Sequence, residues 1–185
     1  MPTSELVTAG KPKVGGSVHR APLGTTLPTD VVSTLDAAFK DMGYASDDGV
    51  TNSTSFDGLK AWGGDTVLNL SNEDTFKLKL IEAKNVEVLK AVFGDDNVSG
   101  DLENGITVAK NVSGVEEQYS WVFDMILKGN VLKRIVLPRA SITEVGDVIY
   151  SDSEAVAYEV TLGAVEDIAG NTHYEYLVQA EGGSI

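Results

Sequence analysis

The feature that most constrains the fold is an alternation of apolar and polar residues with a period of two. It is strongest between Tyr119 and Leu127, where every second residue is apolar and large. Successive side chains of a β-strand point to opposite faces of the sheet, so this row predicts a strand, which we expect at the centre of a sheet. Phe76, Leu78 and Leu80 alternate with lysines, which predicts a strand with one solvated face.

Turn residues divide the alternating segments into hairpins. Gly129 and Asn130 separate the strongest strand from residues 131–137, and two such residues fit a primed turn between antiparallel strands. Residues 156–162 alternate again and, after Gly170 and Asn171, so do residues 172–178, which predicts a second hairpin with a longer loop. Further strands are expected at residues 50–62, 65–70 and 106–112.

Two segments instead follow the period of an α-helix. Residues 31–42 carry apolar side chains at three- and four-residue steps, after Thr29 or Asp30 and before Gly43, which predicts a helix of about three turns. Residues 85–93, followed by Gly94, predict a second, shorter helix. The fold expected is α+β and mainly antiparallel β, a β-sandwich or barrel-like body with one or two flanking helices.

The chain divides by composition into three parts. Residues 1–28 are rich in Gly, Pro, Ser and Thr without periodicity, which predicts an extended N-terminal arm. Residues 29–180 form the expected single domain, and residues 181–185 a loose tail. We expect a soluble protein without a signal peptide or a membrane span, because no apolar run approaches the length that either needs.

Charge and cysteine content exclude several classes of function. Lys and Arg number 14 against 28 Asp and Glu, for a net charge of −14, and such a surface repels the phosphates of nucleic acids. The absence of cysteine excludes disulfides, thiolate metal sites and cysteine nucleophiles. His19 and His173 are the only imidazoles, and neither lies in a nucleophile motif. We therefore predict no enzymatic activity, no catalytic or metal-binding residues and no cofactor.

The charge is also unevenly distributed along the chain. The predicted arm holds Lys11, Lys13 and Arg20 against Glu5 alone. After Arg139 the chain has nine carboxylates and no Lys or Arg. Repulsion among these carboxylates must be offset by packing or by a basic neighbour. The positively charged arm would suit docking onto the acidic surface of a neighbouring molecule.

Residues 95–103 partly match a calcium-binding loop. Asp95, Asn97, Ser99 and Gly100 match positions one, three, five and six of an EF-hand, but position twelve is Ile106, which cannot supply the bidentate carboxylate. The interpretation is a polar loop between helix and strand, with incidental calcium binding as the alternative. The corresponding alternative function is a non-catalytic carbohydrate-binding β-sandwich that binds calcium at these residues. Trp62 is the only tryptophan outside the strongest strand, so the chain offers few aromatic rings for a platform that stacks on sugars.

Blocks of residues in a fixed order resemble the major tail protein of siphophages that infect Gram-positive bacteria. The blocks are LDAAFKDMGY at 35–44, DDGV at 47–50, KAWGG at 60–64, residues 76–82, 85–94, 121–129 and 132–138, and GNTHYE at 170–175. Together they cover about residues 4–178. The resemblance implies a tail tube fold, hexameric rings stacked into a hollow tube, and passage of double-stranded DNA without specific binding. It also implies assembly in the host cytoplasm, a place in the virion tail, and partners such as further copies, the tape measure protein and the tail terminator.

This function suggests roles for the charged residues. A passage for DNA should avoid attraction to phosphates, so some carboxylates of the acidic half are expected to face the lumen, with exposure on the outside as the alternative. The lumen candidates are Glu144, Asp152, Glu154 and Glu159. Contact between rings is expected from residues 3–28 and a loop at 45–64, with Lys11, Lys13, Arg20 and Trp62 as candidates.

Overall fold

A computed structural model describes residues 8–12, 17–60, 67–110 and 117–180. Eleven strands and one α-helix lie within these residues. They are β1 (Gly10–Pro12), β2 (Val18–Pro22), β3 (Lys40–Asp41), β4 (Ala45–Lys60), β5 (Val67–Leu80), α1 (Val86–Phe93), β6 (Val98–Asp101), β7 (Gly105–Val108), β8 (Tyr119–Leu127), β9 (Val131–Val145), β10 (Tyr158–Ala164) and β11 (Tyr174–Gln179). The prediction of a mainly antiparallel β fold with a flanking helix is confirmed.

One large antiparallel sheet dominates the structure. Its strands follow the order β3-β2-β8-β9-β10-β5-β4, and β6 and β7 form a separate hairpin. β9 is central: β8 pairs along one edge, while β11 and β10 share the other edge at residues 131–136 and 140–145. Within the described residues, β4 and the two-residue β3 are the outermost strands of this order.

The core lies on both faces of the central strands. Trp121 and Phe123 join the larger apolar cluster with α1, whereas Val122 between them joins a smaller cluster on the opposite face. Ile135 and Val136 of β9 divide in the same way. β8 is therefore an interior strand buried on both faces, as its sequence predicts, and the row from Phe76 to Leu80 has the predicted buried and solvated sides.

The helix predicted at residues 31–42 is wrong. Residues 31–39 form bends, a turn and irregular backbone, and Lys40–Asp41 form β3, although Phe39 and Met42 are buried as a helical stripe would be. The carboxylate of Asp30 accepts from the amides of Val32 and Ser33, as at a helix start. However, Arg134 Nη1 donates to the carbonyl oxygens of Asp30 and Ser33, which diverts acceptors that helical amides would use.

The second predicted helix is confirmed as α1. Asn85 precedes it and its side chain accepts from the amide of Glu87, 3.0 Å away, which satisfies a free donor at the helix start. Gly94 follows with a φ of 96°. The helix packs Val88 and Leu89 against the larger cluster.

One of the two predicted hairpins forms. β8 and β9 are joined through Gly129 and Asn130, both at positive φ, but Leu127 pairs with Val131, so the connection has three residues rather than two. The second hairpin is wrong. In the described part of the chain β10 and β11 do not pair with each other, because both bind the same edge of the long β9.

The remaining predicted strands are present with other limits. Residues 50–62 and 65–70 correspond to β4 and β5, of which β5 continues without a break through Leu80. Residues 45–60, expected to be part of a loop, are strand throughout, and residues 61–66 lie outside the described residues. The strand predicted at 106–112 is the shorter β7, and residues 111–116 are likewise not described.

Two described parts of the predicted arm pair with the body as strands, whereas residues 23–28 form a turn, a bend and irregular backbone. β2 pairs with residues 119–123 of β8 and buries Val18 and Ala21, while β1 pairs with residues 125–127 of the same edge. This pairing follows from the position of β8, because an interior strand needs a partner on both edges. Residues 1–7, 13–16 and 181–185 lie outside the described residues.

Candidate assembly surface

The most prominent surface feature is a long hairpin formed by β4 and β5. Pairing between them continues to Lys60 and Val67, whereas β10 pairs with β5 only from Asp74 to Leu80. Among the described strands, residues 67–73 of β5 therefore pair with β4 alone, and no third strand extends the sheet there. Phe56 lies in this part and 70% of its surface is exposed.

A buried carboxylate lies where the hairpin leaves the body. Asp74 is 6% exposed, and its Oδ1 accepts from Nδ2 of Asn52 at 2.6 Å and from Oγ1 of Thr54 at 3.2 Å. Its Oδ2 accepts from Oγ1 of Thr172 at 2.6 Å and from Nδ1 of His173 at 2.7 Å. These four side chains come from β4 and from the loop before β11, so Asp74 joins the hairpin root to that loop.

The protonation of Asp74 follows from these contacts. Burial raises the pKa of this carboxyl, but hydrogen bonds from Thr172, Asn52 and His173 outweigh burial and hold the pKa below its usual value. The ring of His173 also packs edge-on against Phe76, with 5.2 Å between ring centroids. Asp74 is therefore a charged junction fixed by several elements.

Two of the four predicted lumen carboxylates share a face of the sheet. Thr161 of β10 pairs with both Glu144 and Lys77, and Glu159 lies two residues away on the same face. Nζ of Lys77 is 2.7 Å from Oε1 of Glu159, and this hydrogen bond and charge raise the pKa of Lys77. Asp152 and Glu154 are exposed in the connection between β9 and β10.

The structure describes two of the four predicted ring-to-ring residues, Lys11 and Arg20. Lys11 is exposed on β1, opposite Ile126, whereas Lys13 and Trp62 lie outside the described residues.

Arg20 is buried within the subunit, and only 4% of its surface is exposed. It donates to Oδ1 of Asp95 at 2.7 Å and lies 4.1 Å from the ring centre of Tyr119. The guanidinium charge of Arg20 is therefore paired with Asp95 of the same chain, which argues against a contact between Arg20 and another ring.

The residues of the partial calcium motif have other partners. Asp95 accepts from Arg20 and from the hydroxyl of Tyr119, and Asp101 accepts from the amides of Glu103 and Asn104 in the β6–β7 turn. Across the part of the chain that the structure describes, no three His, Cys, Asp or Glu residues are grouped to hold a metal ion. These contacts favour the interpretation as a structural connection.

Sequence reasoning did not predict the junction at Asp74. The hairpin root and the loop before β11 are far apart in the chain, and Asp74 and His173 have no motif spacing. The only local signal is the turn pair Gly170 and Asn171, which marks the loop but not what it contacts.

Exposed strand edges and a projecting hairpin are typical of a structural subunit that joins other chains. The chain belongs to the phage tail tube protein family, whose model matches residues 1–182. This match confirms the resemblance to a phage tail tube protein. Membership of the family implies a structural component of the virion tail that assembles with further copies into a tube. A search of curated proteins found no match. Among the described residues, no helix is long and apolar enough to cross a membrane.

Proposed function

We propose that copies of this chain join into hexameric rings that stack as the hollow tail tube of a siphophage. Double-stranded DNA passes through this tube into the host without specific binding, and the subunit catalyses no reaction. The observation that carries the proposal is the family match over residues 1–182. The 16-residue β4 supports it, because no other described strand pairs with its outer edge and a neighbouring copy can complete such an edge.

The hairpin of β4 and β5 is the proposed contact between successive rings. It extends past the last residue of β5 that pairs with β10, and it exposes Phe56. Trp62 belongs to the connection between its strands. Lys11 and Lys13 are proposed to assist by attraction to the acidic surface of the next ring.

The face that carries Glu144 and Glu159, together with Asp152 and Glu154, is the proposed lumen surface. Carboxylates there would repel DNA phosphates and keep the polymer from adhering. Because Lys77 and Lys79 share the strand face with Glu144 and Glu159, the face is mixed in sign rather than uniformly acidic. The segment with Asp152 and Glu154 would then supply the excess negative charge.

The proposed setting is assembly in the cytoplasm of the host bacterium. The tape measure protein and the tail terminator are the proposed partners in addition to further copies.

Electron microscopy of the purified full-length chain tests this proposal. Stacked rings with a central channel are expected, and a reconstruction should show six copies in each ring with Glu144 and Glu159 facing the channel. A protein that stays monomeric at high concentration, with affinity for glycans, would instead support the carbohydrate-binding alternative. Rings with the acidic face outward would overturn the lumen assignment alone.

A further inference from the structure

We propose that the loop at residues 165–173 is a preformed docking element that inserts Ile168 into an adjacent copy of this chain. The proposal rests on the proposed function, because tube assembly supplies that second copy. Ile168 has a relative exposure of 107%, the highest among the exposed large hydrophobic residues. A single exposed apolar residue is ordinary on a protein surface, so the argument depends on how the loop holds it.

The tip of the loop is closed by hydrogen bonds from both sides of Ile168. Oδ1 of Asp167 accepts from the amides of Ala169 and Asn171 at 2.8 and 3.0 Å. In the backbone, the amide of Asp167 donates to the carbonyl of Asn171, and the amide of Gly170 donates to the carbonyl of Asp167, both at 3.0 Å. Ile168 therefore lies on a closed turn, and its side chain projects from it.

The tip is also tied to β11. Oδ2 of Asp167 accepts from the hydroxyl of Tyr174 at 2.7 Å, and that hydroxyl accepts from Nδ2 of Asn171 at 2.9 Å. The hydrogen bond from Tyr174 and those from the backbone lower the pKa of Asp167. The carboxylate thus stays ionised with its oxygens engaged inside the loop.

Both ends of the loop are fixed to the sheet. At the start, the amide of Val165 donates to the carbonyl of Arg139 in β9 at 2.8 Å. At the end, Thr172 and His173 bind Asp74 of β5. Folding Ile168 back onto the body would require breaking these contacts. The hydrogen bonds of the loop therefore keep Ile168 exposed.

A fixed, exposed apolar side chain suits association between copies of this chain. Each copy carries a net charge of −14, so long-range electrostatics oppose their approach and short-range apolar contacts must supply attraction. A loop that is already ordered loses little conformational freedom on binding, which favours affinity. Burying one isoleucine is sufficient to change an association constant by at least about tenfold.

The test uses the absence of cysteine in this chain. Ile168→Cys introduces one thiol at the tip, and Leu102→Cys gives a matched control on the β6–β7 turn, where Leu102 is 65% exposed. Maleimide labelling is measured for free subunits and for tubes. We expect labelling at position 168 to slow at least about tenfold in tubes, since a buried thiol is shielded from the reagent, whereas position 102 keeps its rate.

A second pair of variants measures the energetic consequence. Ile168→Glu should leave the thermal unfolding temperature unchanged but raise the concentration needed for tube formation at least about tenfold, and Leu102→Glu should change neither. Equal labelling of position 168 in subunits and tubes, or normal assembly of Ile168→Glu, would overturn the docking role while wild-type tubes still support the proposed function. Failure of the wild-type chain to form tubes would refute the proposed function itself.

Discussion

Nδ1 of His173 lies 2.7 Å from Oδ2 of Asp74, although 99 positions separate the two residues. The contact joins the loop before β11 to the strand from which the long hairpin projects, and Asn52 on β4 completes the same junction. One carboxylate thereby connects the root of the hairpin to the loop. Both proposed contact elements of the subunit depend on this junction.

Replacing Asp74 should destabilise the subunit more than replacing an exposed acid. Asp74→Ala leaves the donors of Asn52, Thr172 and His173 without their shared acceptor, at an expected cost of about 3 kcal/mol in the free energy of unfolding. Asp152→Ala, at an exposed position, is the control and should change it by less than about 0.5 kcal/mol. Urea unfolding measures both values, and equal values would show that the junction does not stabilise the fold.

The contribution of Asp74 should depend on pH in the acid range. Its pKa is lower in the folded chain than its usual value of 3.8, so the unfolded chain takes up the proton first as pH falls. The stabilisation is therefore complete above that value and is lost as pH falls through the folded pKa. The stability difference between wild type and Asp74→Asn should shrink below about pH 4. A difference that stays constant down to pH 2 would contradict this expectation.

Asp124 and Arg134 form a second buried junction with a testable role. The guanidinium donates to both carboxylate oxygens at 2.6 and 2.9 Å, and neither side chain is more than 5% exposed. The two side chains therefore neutralise each other inside the fold, where neither charge is in contact with bulk water.

Arg134→Lys isolates the second function of the arginine. Lysine cannot donate to a carboxylate and to two carbonyls in the same fixed geometry, so the contacts to Asp30 and Ser33 should be lost. Hydrogen exchange of the amides at residues 31–42 should then accelerate in this variant. Unchanged exchange there would mean that burial of Phe39 and Met42 alone holds the segment.

The sequence predicted those elements that local periodicity determines. β8 is recognisable because large apolar residues occupy every second position without interruption. α1 is recognisable because Asn85 and Gly94 mark the two ends of a short apolar stripe. The segment at 31–42 has an equally regular stripe but is not helical, since Arg134, distant in sequence, takes its carbonyl oxygens. Local propensity is outweighed there by a tertiary contact.

The candidate surfaces were less predictable because they depend on strand pairing. Nothing local indicates that β9 is long enough to bind both β10 and β11 along one edge, and this pairing is the reason why the second hairpin fails. The burial of Arg20 also depends on strand pairing. β9 pairs with one edge of β8 and β2 pairs with the other edge, and this second pairing places Arg20 inside the subunit. Strand pairing is also what places Glu144 and Glu159 on one face of the sheet.

Two glycines with similar φ angles differ in the space around them. Replacing each by alanine separates the cost of the backbone conformation from the cost of packing. Gly43 and Gly49 have φ values of 71° and 75°. A Cβ at Gly43 would collide with the carboxylate of Glu82, whereas one at Gly49 has nothing within 4 Å. Gly49→Ala should cost about 1 kcal/mol. Gly43→Ala should cost about 1 kcal/mol more, because the Glu82 carboxylate must move away from the amide of Tyr44 and from Nδ2 of Asn85, which donate to it. Similar losses in urea unfolding would show that Glu82 moves aside easily.

The exposed Phe56 provides a direct test of the hairpin as a contact between rings. Phe56→Asp should leave the unfolding temperature of the subunit unchanged, because 70% of its surface is already exposed. Val32→Asp, equally exposed on the irregular segment before β3, is the matched control for added charge. If the hairpin contacts the next ring, the aspartate at position 56 should leave rings intact but prevent their stacking, and electron microscopy would show single rings. Full-length tubes from Phe56→Asp would remove the hairpin from the contact, since a buried unpaired carboxylate at that position would be too costly to tolerate.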